Sequence, residues 1–587
     1  MRRPGRRPRP LDEARPEDGY IAITMAIFVA VLFLPLAALS VDVARWYVEI
    51  ARLQNAADAA ALAGVTYLPD DLVAAQAAAE DAVRRNGFTI GPGLVVEVSV
   101  GRNASQLRVT VAERVKNTFA AGFGHPESLM TATAVADFSG PAPMGSPCNT
   151  LGNEPDGTAL LGPILSQIVA PLGASCPRTP QFWANVHGPN VYKTQGDRYS
   201  SRSCQGGEDG CTGTVNDEFD PQGYFLVVRI GAAAVGQPVT VQLYDPAYAS
   251  TDSRCTTAPS GTLSSNNLNP YTTVDALTRY ARTATGGTPN QFCAGDDANA
   301  GLRVGAETPT ITSFAMRAPT ASLQPKSAPV ITGCTRQYPG FIASQITSST
   351  LRSSSSSYLE RLAAVFHQWV PLCTFTPTEA GDHYLQVRTD VALGGTMDAV
   401  TGVYSGNPAV TAQTGDDPSV TGNGSNRFAV RVVSTAAASI SVSGWQRMTL
   451  YANANAATTV FNLVRVIPAS AGKVLDFAFF DAGDAASNGT LQILTPSEST
   501  TPIGTCTGSG KVTGVLAGCQ LTGISAANGW NGRTQHIRVQ IPPGYTCNEA
   551  SAGGCWFRIQ IGFGSGTVTD VTTWTAVVEG DPVRLIE

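Results

Sequence analysis

Charge is scarce in this chain, and lysine is nearly missing. Only 14% of its 587 residues are Asp, Glu, Lys or Arg, and the net charge is −6. That balance is modest for the length, so no electrostatic nucleic-acid partner is expected. Lysine contributes 5 of the 39 basic residues, an arginine bias that reflects genome composition and not function. Histidine is as rare, with His125, His187, His367, His383 and His536 only. No Gly-x-Ser-x-Gly elbow accompanies them, so a Ser-His hydrolase has no visible nucleophile and base. Cysteine is absent before Cys148, no C-x-x-C occurs, and no His stands at zinc-finger spacing from a cysteine pair. The twelve cysteines therefore read as structural disulfides of an oxidising compartment. Nearest-neighbour pairing is expected for Cys148/Cys176, Cys204/Cys211, Cys506/Cys519 and Cys547/Cys555.

What the chain does have is a long apolar run near its start. Tyr20 to Val41 holds no charged residue and is long enough to cross a bilayer as a helix. Asp42, Arg45 and Glu49 mark the exit, and Ala, Leu, Gln and Asn continue without a breaker to Gly64. One helix over about residues 20–63 is predicted, with Pro35 causing only a local bend. The small residues Ala56, Ala57, Ala59, Ala60, Ala61, Ala63 and Gly64 predict close packing against the following unit or a pilin-like partner. Arg2, Arg3, Arg6, Arg7, Arg9 and Arg15 precede the run. Their position places the N-terminus in the cytoplasm and the bulk of the chain outside it. The run is longer than a signal-peptide core, which favours a retained single-pass anchor at the cell membrane.

The segment resembles the N-terminal part of the TadE/TadG family of tight-adherence (Flp) pilus assembly proteins. The residues that carry the resemblance are Gly19, the apolar run, Pro35, Asp42, Arg45, Tyr47 and the block Leu53–Gly64, LQNAADAAALAG. It covers roughly residues 19–138. It implies an envelope protein linked to a pilus or secretion machinery, and no enzyme. Thr24 stands where pilin-like relatives carry Glu five residues after a processed Gly. Some larger relatives have a metal-binding D-x-S-x-S; here the nearest match, Asp137-Phe138-Ser139-Gly140-Pro141, ends in Pro.

Beyond the anchor the composition is rich in Gly, Ser and Thr and suits an extracytoplasmic β-rich protein. The expected fold is mostly β with an N-terminal transmembrane helix. A small α+β unit precedes two antiparallel β-sandwiches of jelly-roll or Ig-like type. The boundaries read as a cytoplasmic tail 1–19, a membrane helix 20–41, and a stalk with an α-β-β-α-β unit over 42–138. A Pro/Gly-rich linker 139–160 follows, then a sandwich 161–440 with a loop-rich insertion 250–360, and a second sandwich 441–587. Within the unit, Asp71–Arg85 is helical, Leu94–Val100, Leu107–Val111 and Leu129–Phe138 alternate as strands, and Thr118–Gly122 is a helical turn. The sandwiches read as a weak repeat. One set is Tyr224–Ile230, Val239–Tyr244, Tyr384–Thr389 and Phe428–Val433; the other is Val474–Phe480, Leu491–Leu494, His536–Ile541 and Trp556–Ile561. Thr378–Val387 resembles the closing strand of a pre-peptidase C-terminal type jelly roll.

Motifs with chemical potential each have a plainer explanation. Ser470-Ala471-Gly472-Lys473 has serine–lysine spacing without the companion motifs. Gly508-Ser509-Gly510-Lys511 lacks the leading Gly and the Ser/Thr of a phosphate loop and reads as a disulfide-closed hairpin. His383 and His536 fall at strand starts of the two repeats, a shared structural position. No catalytic residue, cofactor, resident metal or small-molecule substrate is expected. The candidates for a structural calcium ion are Asp481 and Asp484, with Asp245, Asp296-Asp297 and Asp416-Asp417 in similar loops. Asp in turns more often caps local backbone. The reading is a non-catalytic, structural or adhesive envelope protein; the alternative is a surface carbohydrate-binding or hydrolytic module on a pilin-like anchor.

Overall fold

A computed structural model describes residues 16–68, 72–101, 106–138, 142–152, 182–250, 296–297, 300–320, 325–345, 364–366, 369–412, 419–454, 458–483, 488–549, 553–562, 568–578 and 583–585. The chain divides into two compact units, residues 1–138 with 583–587, and residues 139–582.

The first unit is built on the N-terminal helix. It consists of α1 (Pro16–Phe28), a π-helical turn Val29–Phe33, and α2 (Leu34–Val65). Pro35 brings no N–H to the helical ladder, and the widened turn lies just before it. Within the apolar run, Thr24 Oγ1 donates to the Tyr20 carbonyl at 2.7 Å and Ser40 Oγ to the Leu36 carbonyl at 2.8 Å. The helix thus satisfies its own hydroxyls. Apolar side chains such as Ile21, Met25, Val31 and Phe33 are exposed along it.

Past Asp42 the helix becomes a core element. Leu53, Ala56, Ala57, Ala60 and Ala61 recur at the helical period and are fully buried. They pack with α3 (Leu72–Arg85) against an antiparallel meander of β1 (Leu94–Val100), β2 (Gln106–Lys116) and β3 (Glu127–Phe138). In β2, Leu107, Val109, Val111 and Val115 point to the helices, as period-two alternation requires. Gly64 is the tightest approach: a Cβ there would lie 2.5 Å from Leu107 Cδ2 and 2.6 Å from the Ala75 carbonyl oxygen. The element order is α3, β1, β2, a 3₁₀ turn Ala120–Phe123, and β3. The strand Val583–Leu585 adds to the free edge of β3, Val583 opposite Phe138 and Leu585 opposite Ala136.

The second unit is an antiparallel double layer. One layer runs, in spatial order, through Trp369–Phe375, Val239–Tyr244, Ser425–Val433, Phe182–His187, Arg447–Ala454, Val568–Val578, Val474–Phe480, Thr534–Gln540 and Cys506–Gly510. The other runs through Tyr404–Ser405, Val330–Tyr338, Thr312–Arg317, Gly381–Arg388, Tyr224–Ile230, Ile440–Trp445, Pro143–Met144, Thr458–Arg465, Trp556–Gly562, Gly489–Leu494 and Gln520–Ile524. The two sandwich halves expected from the repeat are therefore joined along both layers and share one core. Edge-to-face ring pairs Phe314–Phe428, Phe182–Phe461 and Phe461–Trp574 cross it, with centroids 5.2, 5.9 and 6.2 Å apart.

Two strands, Thr312–Arg317 and Val330–Tyr338, lie inside the segment expected to be a loop-rich insertion. Phe314, Met316 and Tyr338 are buried in the shared core, so this part of 250–360 is sheet and not excursion. Much of the remainder of that segment, including Ser353–Ser357, lies outside the described residues. The outer faces are also covered: Phe225, Val227, Ala328 and Tyr384 form one small cluster, and Trp183, Tyr244, Ala429, Tyr451 and Val571 another. Burial on both sides explains why Tyr224–Ile230 is almost wholly apolar.

Disulfides join Cys204–Cys211, Cys334–Cys373, Cys506–Cys519 and Cys547–Cys555. Cys334 and Cys373 stand in opposite layers, so that bridge staples the sandwich through its thickness. Cys148 is disulfide-bonded; Cys176, its expected partner, lies outside the described residues, as do Cys255 and Cys293.

Candidate functional site

In the first unit the chemistry concentrates where the apolar run ends. Asp42 is the first charge after Val41, and it is 1% exposed. Its carboxylate accepts three backbone hydrogen bonds from the turn after β2. These come from Thr118 N at 2.9 Å, Phe119 N at 2.8 Å and Ala120 N at 2.7 Å. Burial alone would raise its pKa. The amides of Ala120, Thr118 and Phe119, together with the Arg45 charge, hold it below the usual carboxylate range. Arg45 also donates to Thr118 Oγ1 at 2.7 Å, and Trp46 Nε1 donates to Asn117 Oδ1 at 2.8 Å. Asn117 in turn donates to the His125 carbonyl and to Ser128 Oγ, both at 2.8 Å. The emerging helix is thus fastened to the β2–β3 turn through Asp42, Arg45 and Trp46. The sequence signal for this was an isolated Asp at the end of a charge-free run, which reads equally as a solvated boundary residue.

In the second unit the calcium candidates separate. Asp481 ends Val474–Phe480 with φ +65° and is fully buried. Its Oδ1 accepts from Gly532 N at 2.6 Å, and its amide donates to the Arg533 carbonyl at 3.0 Å. That makes it a brace between two turns. Asp484, Asp416 and Asp417 lie outside the described residues. Asp245 and Asp296 do come together, each 1% exposed. Asp296 accepts from Ala249 N at 2.7 Å and Arg427 N at 2.8 Å. Burial, then the neighbouring Asp245 carboxylate, push its pKa well above the usual range. As enclosed groups the two acids are out of reach of a bulky substrate. Among the described residues, only Cys204, Glu208 and Cys211 bring three metal-ligating groups together. Those cysteines are bonded to each other, and Glu208 accepts from the Gln205 and Gly206 amides at 2.7 and 2.6 Å.

The other motifs resolve into ordinary structure. Ser470 closes a 3₁₀ turn whose carbonyl accepts from Lys473 N at 3.0 Å. Gly508–Lys511 belongs to a hairpin closed by Cys506–Cys519. Asp137 lies in β3 and is 2% exposed, and the described residues 142–152 that follow hold no helix. His383 and His536 fall in different layers. His383 is buried against the Phe375 ring at 5.4 Å. His536 Nδ1 lies 3.0 Å from Asp476 Oδ1 near the surface.

Sequence reading missed a buried ionic cluster. Lys193 is wholly buried, and its Nζ donates to the Asp209 carbonyl at 2.7 Å, Asn216 Oδ1 at 2.8 Å and Glu218 Oε2 at 2.7 Å. Glu218 also accepts from Arg198 at 2.9 and 2.6 Å. Nothing in the spacing of these residues marks them, because the loop between Phe182–His187 and Tyr224–Ile230 folds on itself to gather them.

Two histidines confer a pH dependence. Burial pulls the His187 pKa down to about 4, with Asp197 raising and Arg427 lowering it further; burial pulls His383 down to about 4, against the Gly381 carbonyl and Asp382. Both stay neutral in the folded chain while the unfolded chain binds protons below 6.5. Stability is therefore full above pH 6.5 and falls as pH drops toward 4, with a slope of up to about one proton per histidine. In chemical denaturation at a series of pH values, His187→Gln and His383→Phe should each flatten this slope by about one proton. An unchanged slope in both variants would show that the acid sensitivity lies elsewhere.

Residues 19–80 match the family model described as putative Flp pilus-assembly TadE/G-like. The match spans α1, the π turn, α2 and the start of α3, and it associates this N-terminal segment with pilus assembly. Neither curated proteins nor solved structures yield a match. The helix from Tyr20 is long and apolar enough to cross a membrane.

Proposed function

We propose that this chain is a single-pass bacterial envelope protein of the TadE/TadG-like pilus-assembly class, with a structural or adhesive and non-catalytic role. Its N-terminus faces the cytoplasm, and its β-rich bulk lies outside. The observation that carries the reading is the family match over residues 19–80, on a helix whose apolar part is exposed and whose polar part is built into a folded unit. The arginines before the helix support the orientation. The partners are the membrane and components of a pilus or secretion machinery.

Protease treatment of spheroplasts tests the topology: epitopes in the second unit should be digested and the N-terminal tail spared. Capture of the full chain from crosslinked membranes tests the class and should recover the pilus ATPase or a pilin. A protected second unit would overturn the orientation. Crosslinked membranes that yield no pilus component, in cells that assemble one, would overturn the assembly role.

A further inference from the structure

The turn between β2 and β3 carries two aromatic rings that the fold leaves uncovered. Phe123 is 64% exposed and Phe119 is 42% exposed, in a unit where Phe88 is buried and Phe138 packs against the core. Their position is fixed by the Asp42 clamp: the amides of Thr118, Phe119 and Ala120 all lie within 2.9 Å of a carboxylate one residue beyond the apolar run. Tyr20 to Val41 spans about 33 Å at 1.5 Å per residue, close to the hydrocarbon thickness of a bilayer. Asp42 then stands at the boundary between hydrocarbon and headgroups, and so does the turn bonded to it. Tyr47, 73% exposed, stands five residues further along α2, about 7.5 Å beyond Asp42 and so among the headgroups. Trp and Tyr concentrate at that depth, and Phe is used with them on the apolar face of segments that lie in the interface.

We propose that the β2–β3 turn is a second membrane contact, seating Phe119 and Phe123 in the interfacial layer of the outer leaflet beside the exit of the helix. The proposal rests on the anchor reading above. The occupant is the lipid bilayer because the turn is hydrogen-bonded to the spanning helix one residue beyond its exposed apolar run. A single helix fixes depth but leaves the domain free to tilt; a second contact beside it restrains the tilt. The unit would then hold a set orientation to the membrane plane.

The test uses the full chain in phosphatidylcholine vesicles, with Phe123→Trp and Phe119→Trp as separate reporters and Phe33→Trp as a control within the span. The emission added over the parent protein is read against lipids brominated near the glycerol backbone or near the chain ends. The control should be quenched by the chain-end bromines. Either turn reporter should lose most of its added emission to the shallow bromines and much less to the deep ones. If the control is quenched and both turn reporters are not, the turn contact is wrong and the anchor stands. Blue-shifted turn emission without bromine quenching would also overturn it, assigning the rings to a protein contact. An unquenched control would overturn the anchor reading and the inference with it.

Discussion

The double substitution Ala57→Leu/Ala60→Leu is expected to destabilise the first unit by about 2–6 kcal/mol, from roughly 1–3 kcal/mol of overpacking at each site. Both alanines are 0% exposed and face the sheet and α3. One helical turn further on, Gly64 leaves no room for even a methyl group against Leu107 and the Ala75 carbonyl. Leucine side chains there must push α2 off β2 and β3 or adopt strained rotamers. Ala51→Leu, on the exposed side of the same helix, should change nothing. Thermal unfolding and limited proteolysis of the full chain in detergent measure this. A double variant that melts with the parent would mean that the stalk is a solvated spacer in solution.

Glu218→Gln should be the most damaging single polar substitution in the second unit, at about 3 kcal/mol. Removing one partner of a buried ion pair strands the other, which costs roughly 3–5 kcal/mol, and partial exposure of Glu218 favours the low end. Lys193 has no water to turn to, and Arg198 loses both of its carboxylate contacts. Burial lowers the Lys193 pKa and the Glu218 contact opposes that; the Glu218 pKa itself stays low because Arg198 and Lys193 outweigh its burial. The sign follows: the carboxylate contribution is present above pH 4.5 and fades as pH falls through the lowered folded value. Lys193→Met added to Glu218→Gln should recover part of the loss, since an apolar side chain needs no counter-ion. If Glu218→Gln leaves the unfolding midpoint unchanged, Asn216 and the Asp209 carbonyl suffice for the ammonium.

Local pattern was a good guide wherever one face of an element decides its burial. Leu94–Val100, Val239–Tyr244 and Val474–Phe480 form strands over the residues their alternation marks, and the helix persists through Pro35 to Val65. Three of the bonded cysteine pairs close loops short enough for neighbour pairing to find them. The pattern failed where pairing partners are remote. Phe182–His187 sits between Ser425–Val433 and Arg447–Ala454, and no feature of FWANVH specifies strands so distant. This strand, together with Pro143–Met144 in the other layer, joins the two halves of the sandwich. Thr312–Arg317 and Val330–Tyr338 were obscured because Arg317, Thr335 and Gln337 are polar residues buried on the outer face. Arg317 is satisfied there by Gln386 Oε1 and the Ala328 carbonyl, bonds that composition does not foreshadow. At the membrane exit, the apolar run was plain, but the three amides that meet Asp42 lie more than seventy positions away.

The pairing of Val583–Leu585 with β3 imposes an order on assembly. The meander β1–β2–β3 can close as soon as Phe138 has left the ribosome, while its last neighbour comes only after the whole of residues 139–582 has been made. Until then the end of β3 offers unpaired amides and carbonyls to any passing strand. A short strip of three residues, among the last to be made, is thus the step that brings the first unit's sheet to the width described.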